Sequence, residues 1–483
     1  MINFNQQLKS LKIVISFLLI VGMFILAACD KPVAPKYAVK NKKDVVDTNT
    51  ITFVTLNSPN TYYVDGNKEF AGLEYDLAKL FVDQLKPSKK LKFIVADNIN
   101  QVIPAILNNK ADIAAADLTV TDARKEIIDF SSSYQDVQQQ VIYNKQESNK
   151  IPKQALDLVG LHISLPAGTS FVERLMKLQP SVPGLMWEER LHVSSEQLLQ
   201  ELSRGEISYT VADSHLVSIM QNYYPNLGVA FSLGKPEKIA WAMPKDGNPQ
   251  LQAQVNAFFK KIKKDGTLHN LIDRYHGNAK RLKPIDISSF IVRSRTLLPK
   301  YKRLFKQAQE ITDLDWRLIA AISYQESHWD TFSTSPTNVR GLMMLTEATS
   351  DQMGVTDRLD PKQSIKAGAK YVNVMRETVP DRIPEPDRTY MALAAYNIGY
   401  AHVEDARVLA QRLKLNPDRW ADVKKTLVML NDPTYYLKAK YGYCSGGAPV
   451  IYVESIRSYY NILARFEHSH DSGLTDFKIA SKD

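Results

Sequence analysis

A carboxylate at the end of an apolar helix face is the feature of this sequence best suited to chemistry. Leu314, Leu318 and Ile322 precede Glu326 at intervals of four residues, and such positions share one face of an α-helix. The segment TDLD at residues 312–315 has the form of a helix start. Two interpretations fit this spacing: a buried carboxyl group whose raised pKa suits proton transfer, or a glutamate half in solvent at a helix end.

Three later segments follow Glu326-Ser327 along the chain: VRGLMMLTEATS at residues 339–350, MALAAYNIGYAHVEDAR at residues 391–407, and IYVESIR at residues 451–457. This ordered set resembles the lytic transglycosylases, which cut bacterial peptidoglycan. Their pattern is a helix ending in Glu-Ser, a Gly-Leu-Met-Gln-Leu segment, an Ala-Tyr-Asn-x-Gly segment and a late Tyr-Val. Met344 departs from the pattern, because many members have Gln at that position.

The resemblance implies a mostly α-helical, lysozyme-like domain that cleaves the MurNAc-β-1,4-GlcNAc bond of peptidoglycan glycan strands. It implies Glu326 as the catalytic acid, with no cofactor. The residues it implies for substrate binding are Ser327, Met343, Tyr396, Asn397 and Tyr452. Structural roles stay open for three of them: a helix-interior asparagine bonded to backbone for Asn397, a core aromatic for Tyr452, and a packing residue for Met343.

The implied reaction uses one carboxyl group twice. Glu326 protonates the leaving oxygen, the substrate's own N-acetyl group stabilises the oxocarbenium, and the sugar's 6-hydroxyl replaces water as nucleophile, giving 1,6-anhydromuramoyl ends. Ordinary glycosidases use two carboxylates across the bond. Glu347 and Glu454 are the best candidates for a second carboxylate, and we expect both to be structural.

The first half of the chain alternates strand-like and helix-like segments, which predicts α/β units with parallel strands. Residues 48–277 contain GLEYDLA, ADIAAADLTVTDARKEIIDFSSSY, LPAGTS and VADS in order, and so resemble the family-3 periplasmic solute-binding proteins that bind amino acids. The resemblance implies two α/β lobes around a cleft, regulating the enzyme by binding an amino acid or a muropeptide. After residue 294 the predicted elements are helices, at residues 298–310, 315–329, 346–353, 365–379, 389–410 and 452–466.

An amino-acid site needs a cation for the carboxylate and an anion for the ammonium. The resemblance implies Arg124 for the carboxylate, assisted by Thr119 from one lobe and by Thr169 and Ser170 from the other. It implies Asp213 for the ammonium. Asp117 stands where the family commonly has a small or hydroxyl residue, and we expect its charge near Arg124 to alter carboxylate binding.

The chain begins with Lys9 and Lys12 before an uncharged apolar run, which is typical of a secretory signal. The run ends Leu-Ala-Ala-Cys, which resembles the lipobox of bacterial lipoproteins and implies lipidation at Cys29. That resemblance implies a membrane anchor, and the transglycosylase resemblance implies the outer membrane, facing the periplasm. Asp30, directly after Cys29, keeps the inner membrane as an alternative location of the anchor.

Composition and motif spacing limit the kinds of partner and cofactor that the sequence suggests. The 483 residues carry a formal net charge of +9, which suits a polyanionic partner such as a wall polymer, and no RNA-binding motif or basic block favours nucleic acid. No zinc-type spacing or phosphate-binding loop suggests a metal or nucleotide. The sequence has two cysteines, and lipidation of Cys29 would leave Cys444 without an intrachain partner. We therefore predict that Cys444 is a packing residue and that there is no disulfide framework.

The predicted organisation is a signal segment at 1–28 followed by Cys29, a linker at 30–47, a solute-binding-like domain at 48–277, a linker at 278–294, a catalytic domain at 295–470 and a polar tail at 471–483. Two rival functions stay open. One is a solute sensor whose helical domain only docks on the wall, and the other is a muramidase that uses water.

Overall fold

The structure is a computed structural model that describes residues 49–64, 70–148, 150–277 and 282–470. The predicted signal segment, Cys29, the linker at 30–47 and the polar tail lie outside these residues. We call residues 49–277 the two-lobed domain and residues 282–470 the helical domain. Among the described residues, no helix has both the length and the apolar character that a membrane crossing requires.

The first lobe is built on five strands: β1 (Thr50–Leu56), β4 (Lys90–Ala96), β5 (Ile113–Ala114), β6 (Ile128–Phe130) and β14 (Ala242–Pro244). They lie in the order β4-β1-β5-β14-β6. β1 pairs in parallel with β4 and β5, whereas β14 is antiparallel to its neighbours. The other elements of this lobe are β2 (Tyr63–Val64), β3 (Phe70–Ala71), α1 (Leu73–Asp83), α2 (Val102–Leu107), α3 (Asp122–Lys125), α7 (Pro249–Lys264) and α8 (Thr267–His276).

The second lobe lies between two crossings of the chain. The crossings are β7 (Gln135–Val137) and β13 (Glu237–Ile239), which pair antiparallel. Within the lobe, β8 is the central strand of a three-stranded sheet and β9 pairs in parallel with β10. Its elements are β8 (Gln139–Asn144), β9 (Ser164–Pro166), α4 (Ser170–Leu178), β10 (Glu188–Arg190), α5 (Ser195–Ser203), β11 (Tyr209–Asp213), α6 (Ser214–Gln221) and β12 (Leu227–Ser232).

The helical domain packs its helices around one apolar core. The helices are α9 (Pro284–Thr296), α10 (Leu298–Thr312), α11 (Trp316–Ser327), α12 (Glu347–Met353), α13 (Pro361–Thr378), α14 (Asp387–Ile398), α15 (Tyr400–Arg412), α16 (Trp420–Met429), α17 (Pro433–Tyr436) and α18 (Gly447–Phe466). Cys444 is a buried free cysteine, as predicted. The predicted fold class, a two-lobed α/β domain followed by a mostly helical domain, is confirmed.

Several element boundaries differ from those expected from the sequence. The helix predicted at residues 389–410 is divided into α14 and α15, because Gly399 adopts a φ of 85° that ends the first helix. The segment at residues 312–315 does not start a helix at Thr312. Thr312 closes α10, and Asp315 caps α11 by accepting a hydrogen bond from the backbone N–H of Arg317 at 2.9 Å.

The segment expected to be a linker at residues 278–294 is largely helical. Pro284 occupies the first turn of α9, a position where proline starts a helix instead of breaking one. The helix buries Ile287 and Phe290 in the core of the helical domain. The Phe290 ring lies 4.6 Å, centroid to centroid, from both Tyr324 and Tyr459. α9 is therefore part of the helical domain.

Helix α18 contacts both lobes of the two-lobed domain. The Arg457 guanidinium donates hydrogen bonds to the backbone oxygens of Asp273, at 2.8 Å, and Arg274, at 3.0 Å, at the end of the first lobe. Eight residues later on the same helix, Arg465 pairs with Glu196 of the second lobe. One rigid element thus touches each side of the cleft.

We expect Gly368→Ala to destabilise the helical domain. Gly368 lies inside α13, where a Cβ atom would sit 2.6 Å from the Cβ and Cγ atoms of Met343. Overpacking of this kind costs about 1–3 kcal/mol of unfolding free energy, more than alanine's better helix propensity returns. Urea unfolding measures the change. Lys370→Ala, at an exposed position of the same helix, is the control, and equal stability of the two variants would contradict the packing argument.

Candidate active site

Glu326 lies in the last turn of α11, where the helix leaves the core. Leu314 and Ile322 are buried, and Leu318 is partly buried against the core. The Glu326 side chain is half-buried. The chain then turns at His328, whose φ of 53° ends the helix. The carboxyl group therefore borders the apolar interior and still has access to solvent, which combines the two interpretations left open by the sequence.

The Tyr452 hydroxyl, on α18, donates a hydrogen bond to Oε1 of Glu326 at 2.5 Å. Burial raises the pKa of Glu326 to about 7, and the bond from Tyr452, which favours the charged form, opposes part of that rise. Burial and the nearby charge of Glu326 raise the pKa of Tyr452 well above its ordinary value, so the hydroxyl keeps its proton. Glu326 can therefore release and regain a proton near neutral pH.

Tyr396, at the end of α14, lies beside this pair. Its ring is nearly parallel to that of Tyr452, with centroids 6.5 Å apart and 11° between the planes. Its hydroxyl donates to the backbone oxygen of Met343 at 2.9 Å. Tyr371, which the sequence analysis missed, packs edge-on against Tyr396 at 5.4 Å. Tyr371 shares a face of α13 with Gly368, which contacts Met343. That contact is visible only in the structure, so no local sequence pattern marks Tyr371.

Ser327 and Met343 hold the site without exposing their side chains. The hydroxyls of Ser327 and Ser323 both donate to the backbone oxygen of Leu342 at 3.0 Å, which fixes the following loop to α11. Met343 is fully buried, and its N–H donates to the hydroxyl of Ser364 at 3.1 Å. This arrangement supports a positioning role for both residues in place of direct substrate contact by their side chains.

Asn397 is exposed and lies next to Tyr396, one residue before the end of α14. Its side chain is therefore accessible to solvent. The sequence left a backbone-bonded interior asparagine open as the alternative. The exposure of Asn397 favours the contact role.

The two carboxylates considered as partners of Glu326 lie in other environments. Glu347 is exposed at the start of α12. Glu454 is buried and accepts hydrogen bonds at 2.7 Å from the Trp420 indole and from Arg457. Glu454 is thus part of a buried hydrogen-bond network, and Glu347 is a solvent-exposed residue of the first turn of α12. Among the described residues, no group of three or more His, Cys, Asp or Glu side chains is placed to hold a metal ion.

A second candidate site lies between the two lobes. A cavity of about 110 Å³ is lined by all five residues expected to bind an amino acid: Thr119, Arg124, Thr169, Ser170 and Asp213. The structure therefore brings these residues together. The Thr169 hydroxyl is itself occupied, since it donates to the backbone oxygen of Pro166 at 2.8 Å.

Arg124 joins the lobes. Its guanidinium donates to the backbone oxygens of Thr119 at 3.0 Å and of Gly168 at 3.3 Å, and its Nε lies 3.3 Å from the Glu173 carboxylate. Thr119 and Ser170 hydroxyls are also hydrogen-bonded across the cleft at 3.2 Å. The cleft is therefore closed in this structure, and the positive charge of Arg124 is offset by Glu173.

Asp117 pairs with a residue that the sequence analysis passed over. Its Oδ2 lies 2.6 Å from Nε2 of His215 and accepts a hydrogen bond from Asn60 at 2.8 Å. We expected its charge to act on the carboxylate site through Arg124; in the structure its ion pair is with His215. His215 stands two positions after Asp213, but its partner is 98 residues away, which no local pattern reveals.

Comparisons with known proteins match this organisation. Residues 51–278 match the bacterial extracellular solute-binding proteins, family 3, and residues 303–417 match the transglycosylase SLT domain. A protein of Methylobacillus flagellatus named membrane-bound lytic murein transglycosylase F is 54% identical over 98% of both chains. The chain belongs to the membrane-bound lytic murein transglycosylase F family. A member of this family from Nitrosospira multiformis is 42% identical over 88% of both chains.

Solved structures also resemble part of the chain. An ancestral arginine-binding protein bound to arginine is 26% identical, with a TM-score of 0.42, and the match covers 47% of this chain and 98% of that one. Holo ArgBP from T. maritima is 25% identical, with a TM-score of 0.40, and the match covers 47% and 96%.

We expect Tyr452→Phe to raise the pKa of Glu326 above about 7. The lost hydrogen bond favours the carboxylate, so its removal leaves desolvation unopposed. A ¹³C-NMR titration of the Glu326 carboxyl, assigned by comparison with Glu326→Gln, measures the change. Tyr459→Phe removes a hydroxyl from the same helix and should leave the titration in place. A lower or unchanged pKa in Tyr452→Phe would show that Tyr452 is only a core aromatic.

Proposed function

We propose that this chain cleaves the MurNAc-β-1,4-GlcNAc bond of peptidoglycan without water and leaves 1,6-anhydromuramoyl ends. As a member of the membrane-bound lytic murein transglycosylase F family, it is a lytic transglycosylase that acts on peptidoglycan. The bond cleaved, the role of each residue and the regulation of the enzyme are the parts we propose.

In the proposed reaction the protonated Glu326 donates its proton to the glycosidic oxygen. The bond from the muramoyl C1 to that oxygen breaks, and its electron pair stays on the leaving sugar. The oxygen of the substrate's N-acetyl group stabilises the positive charge at C1. The 6-hydroxyl oxygen of the same muramoyl sugar then bonds to C1. Its proton passes to the Glu326 carboxylate, which restores the acid.

The observation that carries this proposal is the state of Glu326. A group that first donates and then accepts a proton works best when its pKa is near the working pH, and burial brings the pKa of Glu326 to about 7. Tyr452 supplies a hydrogen bond that favours the carboxylate once the proton has left. Tyr396 and the exposed Asn397 are the proposed contacts to the saccharide and its N-acetyl group.

The same geometry weighs against the two rival functions, a hydrolytic muramidase and a solute sensor whose helical domain only docks on the wall. A muramidase of the ordinary two-carboxylate kind needs a second acid across the bond, and both candidates for that acid have other environments: Glu347 is exposed, and Glu454 is bonded to Trp420 and Arg457. A domain that only docks on the wall has no use for a half-buried carboxyl group with a raised pKa.

The deciding experiment is mass analysis of the sugar ends released from purified peptidoglycan. Anhydro ends are lighter than reducing ends by about one water, because the 6-hydroxyl replaces water as nucleophile. We expect anhydro products from the wild type. Products with reducing ends only would establish the muramidase reaction.

We expect Glu326→Gln to lose cleavage by roughly a hundredfold or more, because glutamine keeps the size of the side chain but has no transferable proton. The release of soluble muropeptides measures the rate, and circular dichroism checks that the fold is kept. Glu347→Gln changes an exposed carboxylate of the same domain and should stay active. Near-normal turnover by a folded Glu326→Gln protein would remove Glu326 from the mechanism.

The two-lobed domain is proposed to regulate this reaction by binding an amino acid or a muropeptide through Arg124 and Asp213. The physical route is α18, which contacts the first lobe through Arg457 and the second through Arg465, and which also carries Tyr452. A change in lobe closure must therefore alter a contact of the helix whose Tyr452 is hydrogen-bonded to the proposed catalytic acid, Glu326. A coupling of roughly 1–3 kcal/mol is the size expected.

We expect Arg465→Ala to reduce the response to ligand while leaving basal cleavage in place. Cleavage rates are compared with and without added soluble muropeptides, and Arg124→Ala shows what a protein with an impaired cleft does. Arg382→Ala removes an ion pair with Asp418 that lies within the helical domain, and it should respond like the wild type. An undiminished response in Arg465→Ala would exclude α18 as the route.

Association with a membrane follows from the family, whose members are named as membrane-bound. The finer statement is a proposal: Cys29 carries the lipid anchor, and the anchor lies in the outer membrane facing the periplasm. Asp30 keeps the inner membrane as the alternative. Cys29 lies outside the described residues, so the support is the sequence alone.

A further inference from the structure

The charges of the cleft are unbalanced. Its ionisable lining residues are four acids, Asp97, Asp117, Glu196 and Asp213, and a single base, Arg124. Three of these five have counter-charges from outside the cavity wall: Glu173 offsets Arg124, Arg465 offsets Glu196, and His215 pairs with Asp117. The wall is therefore net negative before any ligand enters.

Two buried carboxylate oxygens in this wall have no hydrogen-bond partner among the described residues. One is Oδ1 of Asp213, whose side chain is only 7% exposed. The other is Oδ1 of Asp117, whose Oδ2 is held by His215 and Asn60. Buried acceptors without donors cost free energy unless a ligand supplies the donors. Each oxygen therefore marks a place for a donor group.

Asp117 is held firmly enough to act as a ligand contact. Its backbone N–H donates to the Glu74 carboxylate at 3.0 Å, and its φ of 55° is a left-handed conformation that aspartate tolerates better than most residues. Together with the contacts from His215 and Asn60, this fixes Oδ2 and leaves Oδ1 without a donor, in a residue that lines the cavity. His276, whose ring centroid lies 5.3 Å from that of His215, is kept neutral because burial lowers its pKa to about 3, so it adds no counter-charge beyond that of His215.

A neutral amino acid does not balance this wall. Its carboxylate would meet Arg124, whose charge Glu173 already offsets, and its α-ammonium would satisfy Asp213. Oδ1 of Asp117 would stay buried without a donor. A second cationic group on the ligand supplies that donor as a charge-assisted hydrogen bond.

We propose that the cleft selects an amino acid that carries a second basic group, with the α-ammonium at Asp213 and the second cation at Asp117. This inference rests on the proposed solute-binding role of the two-lobed domain and adds the chemical class of its ligand. Asp117 is then a specificity-determining residue of the cleft.

Isosteric ligand pairs test the second charge on the full chain. Calorimetric titration compares L-arginine with L-citrulline, and L-lysine with L-norleucine, so that each pair differs mainly in the side-chain cation. We expect at least one cationic member to bind tenfold or more tightly than its neutral partner, because the neutral analogue leaves a buried acceptor unpaired. Equal or tighter binding of both neutral partners would overturn the inference while leaving an amino-acid site.

Two further outcomes have distinct meanings. If none of the four compounds binds, the inference and the proposed amino-acid role of the cleft both fail. If binding is observed, Asp117→Asn should remove most of the preference within the pair while the neutral partner keeps its affinity. Asp122→Asn, which changes an exposed carboxylate of the same lobe, should keep the preference. An equal loss for both members of the pair in Asp117→Asn would show that Asp117 only shapes the cleft.

Discussion

The contact between Glu326 and Tyr452 is the interaction on which the proposed chemistry of the helical domain depends. The two residues are 126 positions apart and come from α11 and α18, so the hydrogen bond exists only when both helices pack correctly. Much of the core serves this alignment. The Trp329 indole ties the end of α11 back to Ala320 at 2.9 Å, and Phe290 packs against Tyr324 of the same helix. The core thus places the carboxyl group of Glu326, and burial raises its pKa to about 7.

The same helix that places Tyr452 also forms the contact with the other domain. Along α18, Tyr452 reaches Glu326 of the proposed active site, whereas Arg457 and Arg465 contact the two lobes. A helix is stiff on the scale of these contacts, so the two functions cannot be adjusted separately. Sharing one element is a compact way to connect a ligand cleft with a proton-transfer group, and it also restricts which substitutions α18 tolerates.

The sequence predicted features that are local and missed those that depend on distant partners. The position of Glu326 followed from spacing within one helix, and Arg124 and Asp213 followed from short motifs. The pairing of Asp117 with His215 joins two lobes, and no periodicity reports it. The linker expectation failed at Pro284, because proline before a helix and proline in a loop look alike until the apolar residues that follow are seen to be buried.

Charged residues at the boundary between the two domains make each domain depend on the other. Arg457 is almost fully buried and bonds to backbone oxygens of the two-lobed domain, and Lys424 pairs with Asp273 across the same boundary. A helical domain separated from its neighbour would expose these two cations with Glu454 as the one acid between them, because Asp273 would stay with the two-lobed domain. Removing one partner of a buried pair typically costs about 3–5 kcal/mol. The two halves match separate sequence families, yet physically each completes the other's surface, and a replacement partner would have to bring an acid to the same place.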